Sequence, residues 1–402
     1  MLSHFANIKK LFLLGFAVAS TKVMLLLFAY FFSAETYNQF NQIYYTASIV
    51  ILFGSLGFNI AITRINISIK LVSVAILLTT TVAYIFLQIF SAPFENVFEI
   101  LSILVYCLFV SLSSIYVFQL LFTGKYQDYI LLTLLYSALH LLIVPAILFL
   151  QHSLFTALPV VALLWFFIGY PKFIKTSYAA TKSLTEFFKI GISAFVINSA
   201  VSLALAADKY FANHFFPLEI ANSYTFAWGL TAPMFYIGVL IEQYLFSETN
   251  TSKSNILKRG FILVASLVVL YALIIIGVIN FFPQIIPDSV DYNTVLKIFT
   301  LMIVGYSLYV IMHFPVNVYL FKSLSTEKQK TISMAFAITI SGFLVLYILI
   351  FQGIIGIDYI LLLIITWSYI FTLLIIKIIL MFRGGNRQES DKSVIGINNL
   401  EP

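Results

Sequence analysis

Long apolar runs alternate with short polar segments along the whole chain. A helix that crosses the roughly 30 Å of bilayer hydrocarbon needs about 20 apolar residues. The runs have that length, so the pattern predicts a polytopic membrane protein with twelve spanning helices. The predicted spans are residues 11–32, 38–63, 70–91, 97–122, 127–150, 154–170, 187–212, 220–246, 260–282, 294–320, 331–352 and 357–382.

Composition supports an all-α membrane fold. Hydrophobic residues make up 61% of the 402 positions and charged residues only 9%, whereas soluble domains carry about 25% charged residues. The first apolar run is too long for a cleavable signal peptide, whose apolar region has about 7–15 residues. The single cysteine, Cys107, excludes an internal disulfide. We expect no metal and no cofactor, because no phosphate-binding loop, HExxH motif or Cys/His cluster occurs in the sequence.

Charge predicts the orientation. With the N-terminus inside, 19 of the 22 basic residues, Lys377 among them, fall on the inner side. The outer loops hold no Lys or Arg but seven acids: Glu35, Glu95, Glu99, Glu219, Asp288, Asp291 and Asp358. By the positive-inside rule both termini are cytoplasmic. The net charge of +6 is thus an orientation signal, and we expect no nucleic-acid partner.

A short segment occurs twice. Residues 31–40 read FFSAETYNQF and residues 215–224 read FFPLEIANSY, with two Phe, the Glu and the Asn in register at an offset of 184. Both are outer elbows, six spans apart. This predicts two six-helix lobes related by a pseudo-two-fold axis along the membrane normal. The predicted divisions are residues 1–182 with a cytoplasmic linker, 183–382, and a disordered cytoplasmic tail over 383–402.

Two predicted spans carry charge deep in the membrane, where each charged side chain costs roughly 2.5–3.5 kcal/mol. Lys22 lies in the middle of span 1, either as a cavity cation for an anionic substrate or in a structural pair with a carboxylate. Span 7 holds Asp208 and Lys209. A Lys22–Asp208 pair between the lobes is geometrically possible. Lys209 either faces the cavity or extends to the outer surface.

Three further titratable residues are candidates for ion coupling. Glu242 is either an interfacial carboxylate or a proton site, and His140 is either a satisfied core residue or a titrating one. His313 shares a helical stripe with Tyr306 and Asn317 beside Pro315, which indicates a kinked polar segment.

Span 2 contains a polar stripe that ends near Arg64. Such stripes frequently hold helices together by hydrogen bonds, and the coincidence with Lys22 makes a cavity-lining role the alternative. Its members are Asn41, Tyr45, Ser48, Ser55 and Asn59.

Two stretches carry a family resemblance. Residues 187–230, with Asp208-Lys209-Tyr210 before a short elbow and then Ala221–Tyr224, resemble spans 7 and 8 of Wzx-type polysaccharide or O-antigen flippases. Residues 34–64, with Gly54, Leu56-Gly57 and Arg64, look like span 2 of the same family. These flippases belong to the multidrug/oligosaccharidyl-lipid/polysaccharide (MOP) exporter superfamily.

The resemblance implies a transporter, not an enzyme, in the bacterial cytoplasmic (inner) membrane. It would flip undecaprenyl-pyrophosphate-linked oligosaccharide by alternating access, driven by H⁺ or Na⁺, and serve O-antigen and lipopolysaccharide biosynthesis. Contact with polysaccharide polymerase machinery is a further expectation. Substrate would bind at Lys22, Arg64, Lys209 and Asn59, and ion coupling would use Asp208, Glu242, His140 and His313.

Two other functions remain open. A multidrug exporter of the same superfamily would favour acidic and aromatic cavity residues over a central lysine. A membrane glycan polymerase is disfavoured, because such enzymes carry a long outer loop with catalytic Arg or carboxylates, and the predicted outer loops are short.

Overall fold

The structure is a computed structural model. It describes residues 23–24, 26–58, 61–62, 68–91, 94, 96–122, 125–150, 153–174, 184–247, 253–323, 326–351, 353 and 356–385. The described part of the chain is almost entirely helical, with thirteen α-helices and one short 3₁₀ turn over Pro283–Ile285. The sequence prediction of an all-α chain is therefore confirmed for these residues.

The helices up to residue 174 form the N-terminal lobe, after a helical stretch at residues 26–31 that belongs to span 1. They are α1 (Ala34–Ser55), α2 (Ile69–Ser91), α3 (Val97–Phe122), α4 (Tyr126–Leu141), α5 (Ile143–Leu150) and α6 (Leu154–Ile174). Helix α3 packs against α1, α2, α4 and α6, which makes it the centre of this lobe.

The remaining helices form the C-terminal lobe. They are α7 (Leu184–Phe215), α8 (Leu218–Thr231), α9 (Pro233–Ser247), α10 (Lys253–Phe281), α11 (Tyr292–Ser323), α12 (Thr326–Phe351) and α13 (Tyr359–Gly385). Helix α11 packs against α8, α9, α10 and α13, and α7 packs against α8, α12 and α13. The main contacts between the lobes, among the described residues, are those of α1 with α7 and α8. This contact is called the seam below.

Seven of the described helical stretches are long and apolar enough to cross a membrane. They are Lys70–Ile89, Val97–Leu120, Gln127–Phe149, Leu154–Phe173, Leu257–Phe281, Tyr292–Val318 and Tyr359–Ile379. Each coincides with a predicted span. Large apolar side chains such as Phe149 and Phe281, each 81% exposed, cover their outer faces, as lipid contact requires.

Three predicted spans are interrupted. In span 2 helix α1 ends at Ser55, Leu56 and Gly57 adopt left-handed backbone angles (φ 38° and 67°), and residues 58, 61 and 62 are helical again. Span 8 divides into α8 and α9 at Pro233, whose missing N–H removes a helical hydrogen bond. Span 5 divides into α4 and α5 at Leu142, shortly before Pro145. Conversely, α13 continues to Gly385, three residues into the predicted tail.

The two elbows match residue for residue. The first helical stretch ends at residue 31, Ser33 caps the next helix and α1 begins at Ala34. In the second elbow α7 ends at Phe215, Pro217 occupies the cap and α8 begins at Leu218. All three correspondences have the offset of 184 found in the sequence. Ser33 (φ −62°, ψ 161°) and Pro217 (φ −51°, ψ 147°) also share an extended backbone.

The acids of the predicted outer loops lie mostly at helix N-termini. Glu35, Glu99 and Glu219 occupy first turns, where a negative charge complements the helix dipole. Asp291 and Asp358 accept hydrogen bonds from the backbone N–H of Thr294 (2.6 Å) and Leu361 (2.7 Å). Hydrogen bonds with the side chain and the backbone N–H of Thr294 hold the pKa of Asp291 below its ordinary value. These acids therefore stabilise helix N-termini, a role that the sequence analysis did not assign when it used them only to predict the orientation in the membrane.

Candidate functional site

Helix α7 buries an acid and a base in consecutive positions. Asp208 and Lys209 are both 0% exposed. The ammonium Nζ of Lys209 lies 2.8 Å from Oδ1 and 3.0 Å from Oδ2 of Asp208. A buried charge is tolerated only when it is paired and hydrogen-bonded. The long lysine side chain bends back along the helix to provide that partner.

Two tyrosines complete the environment of the carboxylate. The hydroxyl groups of Tyr224 in α8 and Tyr306 in α11 donate to Oδ2 of Asp208, at 3.1 and 3.2 Å. Asp208 therefore joins three helices of the C-terminal lobe. Both tyrosines are 0% exposed, so the hydrogen bonds form away from water, where they are stronger than at a surface.

Aromatic rings cover the ammonium. Nζ of Lys209 lies 3.4 Å from the centroid of the Trp228 ring and 5.6 Å from that of Tyr306, within range of a cation–π interaction. Lys209 does not extend to the outer surface, so that alternative from the sequence is wrong. The Asp208–Lys209 cluster is defined by these two residues with Tyr224, Trp228 and Tyr306.

The Asp208–Lys209 cluster lies at the seam. One turn along α7, Asn213 donates to Thr225 Oγ1 of α8 (3.1 Å). Its backbone carbonyl accepts a hydrogen bond from Gln42 Nε2 of α1 (3.3 Å). Tyr45 of α1 lies within electrostatic range of the Asp208 carboxylate. Opening the seam would therefore change the surroundings of the ion pair.

A second buried polar cluster joins α11 to two further helices of the same lobe. Asn317 of α11 donates through Nδ2 to Oε1 of Glu242 in α9. Its Oδ1 accepts from Nζ of Lys377 in α13 at 2.9 Å. Lys377 is 3% exposed. The amide thus separates a carboxylate from an ammonium, and these three residues are called the Glu242–Lys377 cluster.

The surroundings of the Glu242–Lys377 cluster are aromatic. Nζ of Lys377 lies 5.7 Å from the centroid of the Phe336 ring. Tyr309 and His313, one turn apart on α11, share a hydrogen bond of 2.7 Å between Oη and Nδ1, and both lie within electrostatic range of the cluster. The predicted stripe of Tyr306, His313 and Asn317 thus contributes to both clusters.

The arrangement of helices matches known transporters. An inward-facing multidrug resistance MATE family transporter of the MOP superfamily aligns over 94% of each chain with a TM-score of 0.53 and 12% identity. An outward-facing one aligns over 95% of this chain and 96% of its own, with a TM-score of 0.51 and 13% identity. A MOP superfamily transporter from Pyrococcus furiosus, described as having a binding pocket of reverse polarity, gives 0.52 at 12% identity over 95% and 96%.

The fold is that of the MATE transporters. The predicted fold class, an all-α membrane protein of two six-helix lobes, is confirmed by this likeness, and the chain is a multi-pass membrane protein. No protein-family profile matches the sequence, and no curated protein matches it. At 12–13% identity, the MATE likeness concerns the fold and not the substrate.

Within this MATE fold, the predicted site residues are distributed over both lobes. Asp208 and Lys209 form one cluster, Glu242 belongs to the other, and His313 lies beside that one. His140 lies apart, in α4 of the N-terminal lobe. Its Nε2 is 3.0 Å from Tyr106 Oη and its Nδ1 2.8 Å from the Tyr136 carbonyl oxygen, the geometry of a satisfied core histidine. Lys22, Asn59 and Arg64 lie outside the described residues.

Sequence reasoning missed three members of the clusters and the partners of two others. Tyr224 is the last residue of the repeated segment and Trp228 lies one helical turn further, but aromatic residues, at 17% of the chain, are too common to single them out. Tyr306 and Asn317 were part of a noted stripe, yet their partners lie on other helices. Lys377 was predicted only as one of the basic residues of the inner side, and its buried contact with Asn317 was not foreseen. Its position two turns before the end of α13 could have indicated an internal partner.

Proposed function

We propose that this chain is an alternating-access transporter that flips undecaprenyl-pyrophosphate-linked oligosaccharide across the bacterial cytoplasmic membrane. Support comes from its likeness to MATE transporters solved in inward-facing and outward-facing conformations. The flippase resemblance of residues 187–230 and 34–64 adds the substrate class.

The observation that carries the proposal is the buried ammonium of Lys209 at the seam. Lys209 is 0% exposed, and its counter-charge is its chain neighbour Asp208. An anionic headgroup that enters the opened seam can replace the carboxylate as partner of the ammonium. The exchange keeps the lysine paired throughout, so the large cost of an isolated buried charge is avoided. Lys22 and Arg64 would add positive charge for the same pyrophosphate.

Ion coupling follows from the displaced carboxylate. Once the headgroup holds Lys209, Asp208 retains the hydroxyl groups of Tyr224 and Tyr306 but no cation. Taking up a proton, or a Na⁺ ion, restores neutrality. Substrate and coupling ion are thereby linked through one carboxylate. Glu242 and His313, together with Lys377, form a second place where such an ion can exchange, and His140 is a weaker candidate.

Export of cationic drugs is the second candidate. A carboxylate that accepts from Tyr224 and Tyr306, with the Trp228 ring against the cation it holds, is a combination that binds organic cations. Such a substrate would have to displace Lys209 from Asp208. The two candidates therefore differ in which member of the ion pair the substrate takes.

Reconstitution tests the proposal. The purified protein is placed in liposomes with undecaprenyl-pyrophosphate-linked oligosaccharide, and access of a membrane-impermeant glycosidase to the headgroup is timed. We expect faster exposure than in protein-free vesicles, and loss of that advantage in Lys209→Ala and Lys22→Ala. No acceleration with several glycans, with and without an ion gradient, would contradict flipping. Accumulation of a cationic dye under the same gradient would then favour drug export.

A further inference from the structure

Helix α1 presents a buried polar face to the seam. Tyr37, Asn41 and Tyr45 are spaced four residues apart, which places them on one side of the helix. Their exposed fractions are 0%, 0% and 2%. This face is called the α1 polar face below. Because α1 packs against α7 and α8 of the other lobe as well as against α2 and α3 of its own, separation of the lobes would uncover the part of this face that lies at the seam.

The polar atoms of the α1 polar face are poorly satisfied. Tyr37 and Asn41 interact with each other. Beyond that, the two hydroxyl groups and both ends of the Asn41 amide have no hydrogen-bond partner among the described residues. Burying polar groups without partners costs free energy, and native interiors avoid it. Such a face is suited to a ligand that the protein meets in another conformation.

The neighbours of the α1 polar face locate it beside the Asp208–Lys209 cluster. Tyr45 lies within electrostatic range of Asp208 in α7 and Tyr236 in α9. Asn222 Nδ2 of α8 donates to the backbone oxygen of Ala34, at the start of α1 (2.9 Å). A ligand whose charged group reaches Lys209 therefore has its adjoining part next to α1.

We propose that the α1 polar face binds the hydroxyl groups of the sugars nearest the pyrophosphate. The inference rests on the proposed function and identifies the part of the site that recognises the glycan. The Asn41 amide offers both a donor and an acceptor, as sugar hydroxyl groups require, and the tyrosines add hydroxyl groups on flat apolar rings. The three side chains carry no formal charge, whereas cation sites gather carboxylate and carbonyl oxygens.

The incomplete hydrogen bonding of the α1 polar face also favours opening of the seam. Closing the lobes removes side chains of this face from water and, among the described residues, leaves Tyr37 and Asn41 with only each other and Tyr45 without a hydrogen-bond partner. Opening returns them to water or to sugar, so substrate binding stabilises the open state relative to the closed one. A ligand shifts a conformational equilibrium only through such a difference in affinity.

Tyr45→Phe and Asn41→Leu test the proposal, with Tyr37→Phe as a second hydroxyl deletion. Each removes hydrogen-bonding atoms and little volume. Two probes are compared in liposomes: undecaprenyl-pyrophosphate-linked oligosaccharide with an impermeant glycosidase, and sugar-free undecaprenyl pyrophosphate with an impermeant phosphatase. We expect about tenfold slower movement of the glycosylated lipid at subsaturating concentration, unchanged movement of the sugar-free lipid, and a Tm equal to or above that of the wild type. Tyr84→Phe, which deletes a buried hydroxyl between α2 and α3, is the matched control and should leave the movement of both lipids unchanged.

The outcomes separate the two proposals. Unchanged movement of the glycosylated lipid in all three variants overturns the sugar-binding role alone. An equal loss for both lipids together with a lowered Tm also overturns it, because that result marks a packing role. If the wild-type protein moves neither lipid, the proposed function fails and this inference fails with it.

Discussion

The two buried clusters of the C-terminal lobe compensate their buried charges in different ways. Asp208 and Lys209 are chain neighbours in contact at 2.8 Å, so motion between helices cannot separate them. Glu242 and Lys377 lie on different helices, and each is hydrogen-bonded to Asn317. Any shift of α9, α11 or α13 therefore changes these hydrogen bonds. The first pair therefore stays in contact when one helix shifts against another. The hydrogen bonds of the Glu242–Lys377 cluster, in contrast, change with the conformation of the lobe.

Helix α11 joins the clusters, because it carries Tyr306 for one and Asn317 for the other. Eleven residues separate them, about 16 Å along the helix. Pro315 lies inside this helix, and a proline removes one hydrogen bond and permits a bend. The two ends of α11 are therefore not rigidly coupled, which allows the Glu242–Lys377 cluster to rearrange while Tyr306 stays on Asp208.

The largest effect is expected from Lys209→Met. It leaves Asp208 buried without its cation, and breaking a buried pair in this way costs about 3–5 kcal/mol. Thermal or denaturant unfolding in detergent measures the loss. Lys297→Met, at an exposed lysine on α11, is the matched control and should be nearly neutral. The double variant Asp208→Asn/Lys209→Met should recover much of the loss, and a double variant as unstable as the single one would refute the pairing.

Asn317→Leu should have a smaller effect. It removes the amide that links Glu242 to Lys377, and leaving buried polar groups unsatisfied costs about 1–3 kcal/mol. We expect hydrogen exchange to rise in α9 and α13 together and not in α8, because the lost bonds tie those two helices to α11. Lys377→Met should produce the same pattern. Exchange confined to α11 in both variants would show that the cluster does not connect the helices.

The smallest effect concerns the ring over the ammonium. In a double-mutant cycle of Trp228→Phe with Lys209→Met, we expect a coupling energy of about 1 kcal/mol, the value of a desolvated cation–π contact. Unfolding of the four proteins supplies the cycle. The same cycle with Trp165, in the other lobe, should give no coupling. Additivity at Trp228 would mean that the ring only fills space.

The pattern of apolar residues was sufficient to predict the helices but not the positions at which they are interrupted. Apolar length predicted the spans, and the offset of 184 predicted matching elbows, because both depend on local sequence. The break at Leu56–Gly57 depends on backbone angles that a leucine rarely adopts. Pro233 and Pro145 were visible signals, yet a proline in a membrane helix bends it as often as it divides it.

The candidate site was predicted by residue type but not by partner. Mid-membrane charge marked Asp208 and Lys209, since any charge there needs a compensating group. Their pairing with each other was missed, because adjacent helical positions point in different directions and only the length of lysine overcomes this. The contacts of Asn317 with Glu242 and Lys377 depend on how three helices pack, and no spacing along one helix contains that information.

The contact between Lys209 and Trp228 has an optical consequence. The chain has three tryptophans; Trp165 donates to the Leu132 carbonyl in the N-terminal lobe, and Trp367 packs edge-on against Tyr306. With both replaced by phenylalanine, emission would come from the one indole whose ring lies 3.4 Å from an ammonium. Withdrawal of that charge changes the electric field across the indole and hence its emission wavelength. The protein thus contains its own fluorescent reporter of the moment at which Lys209 changes partner.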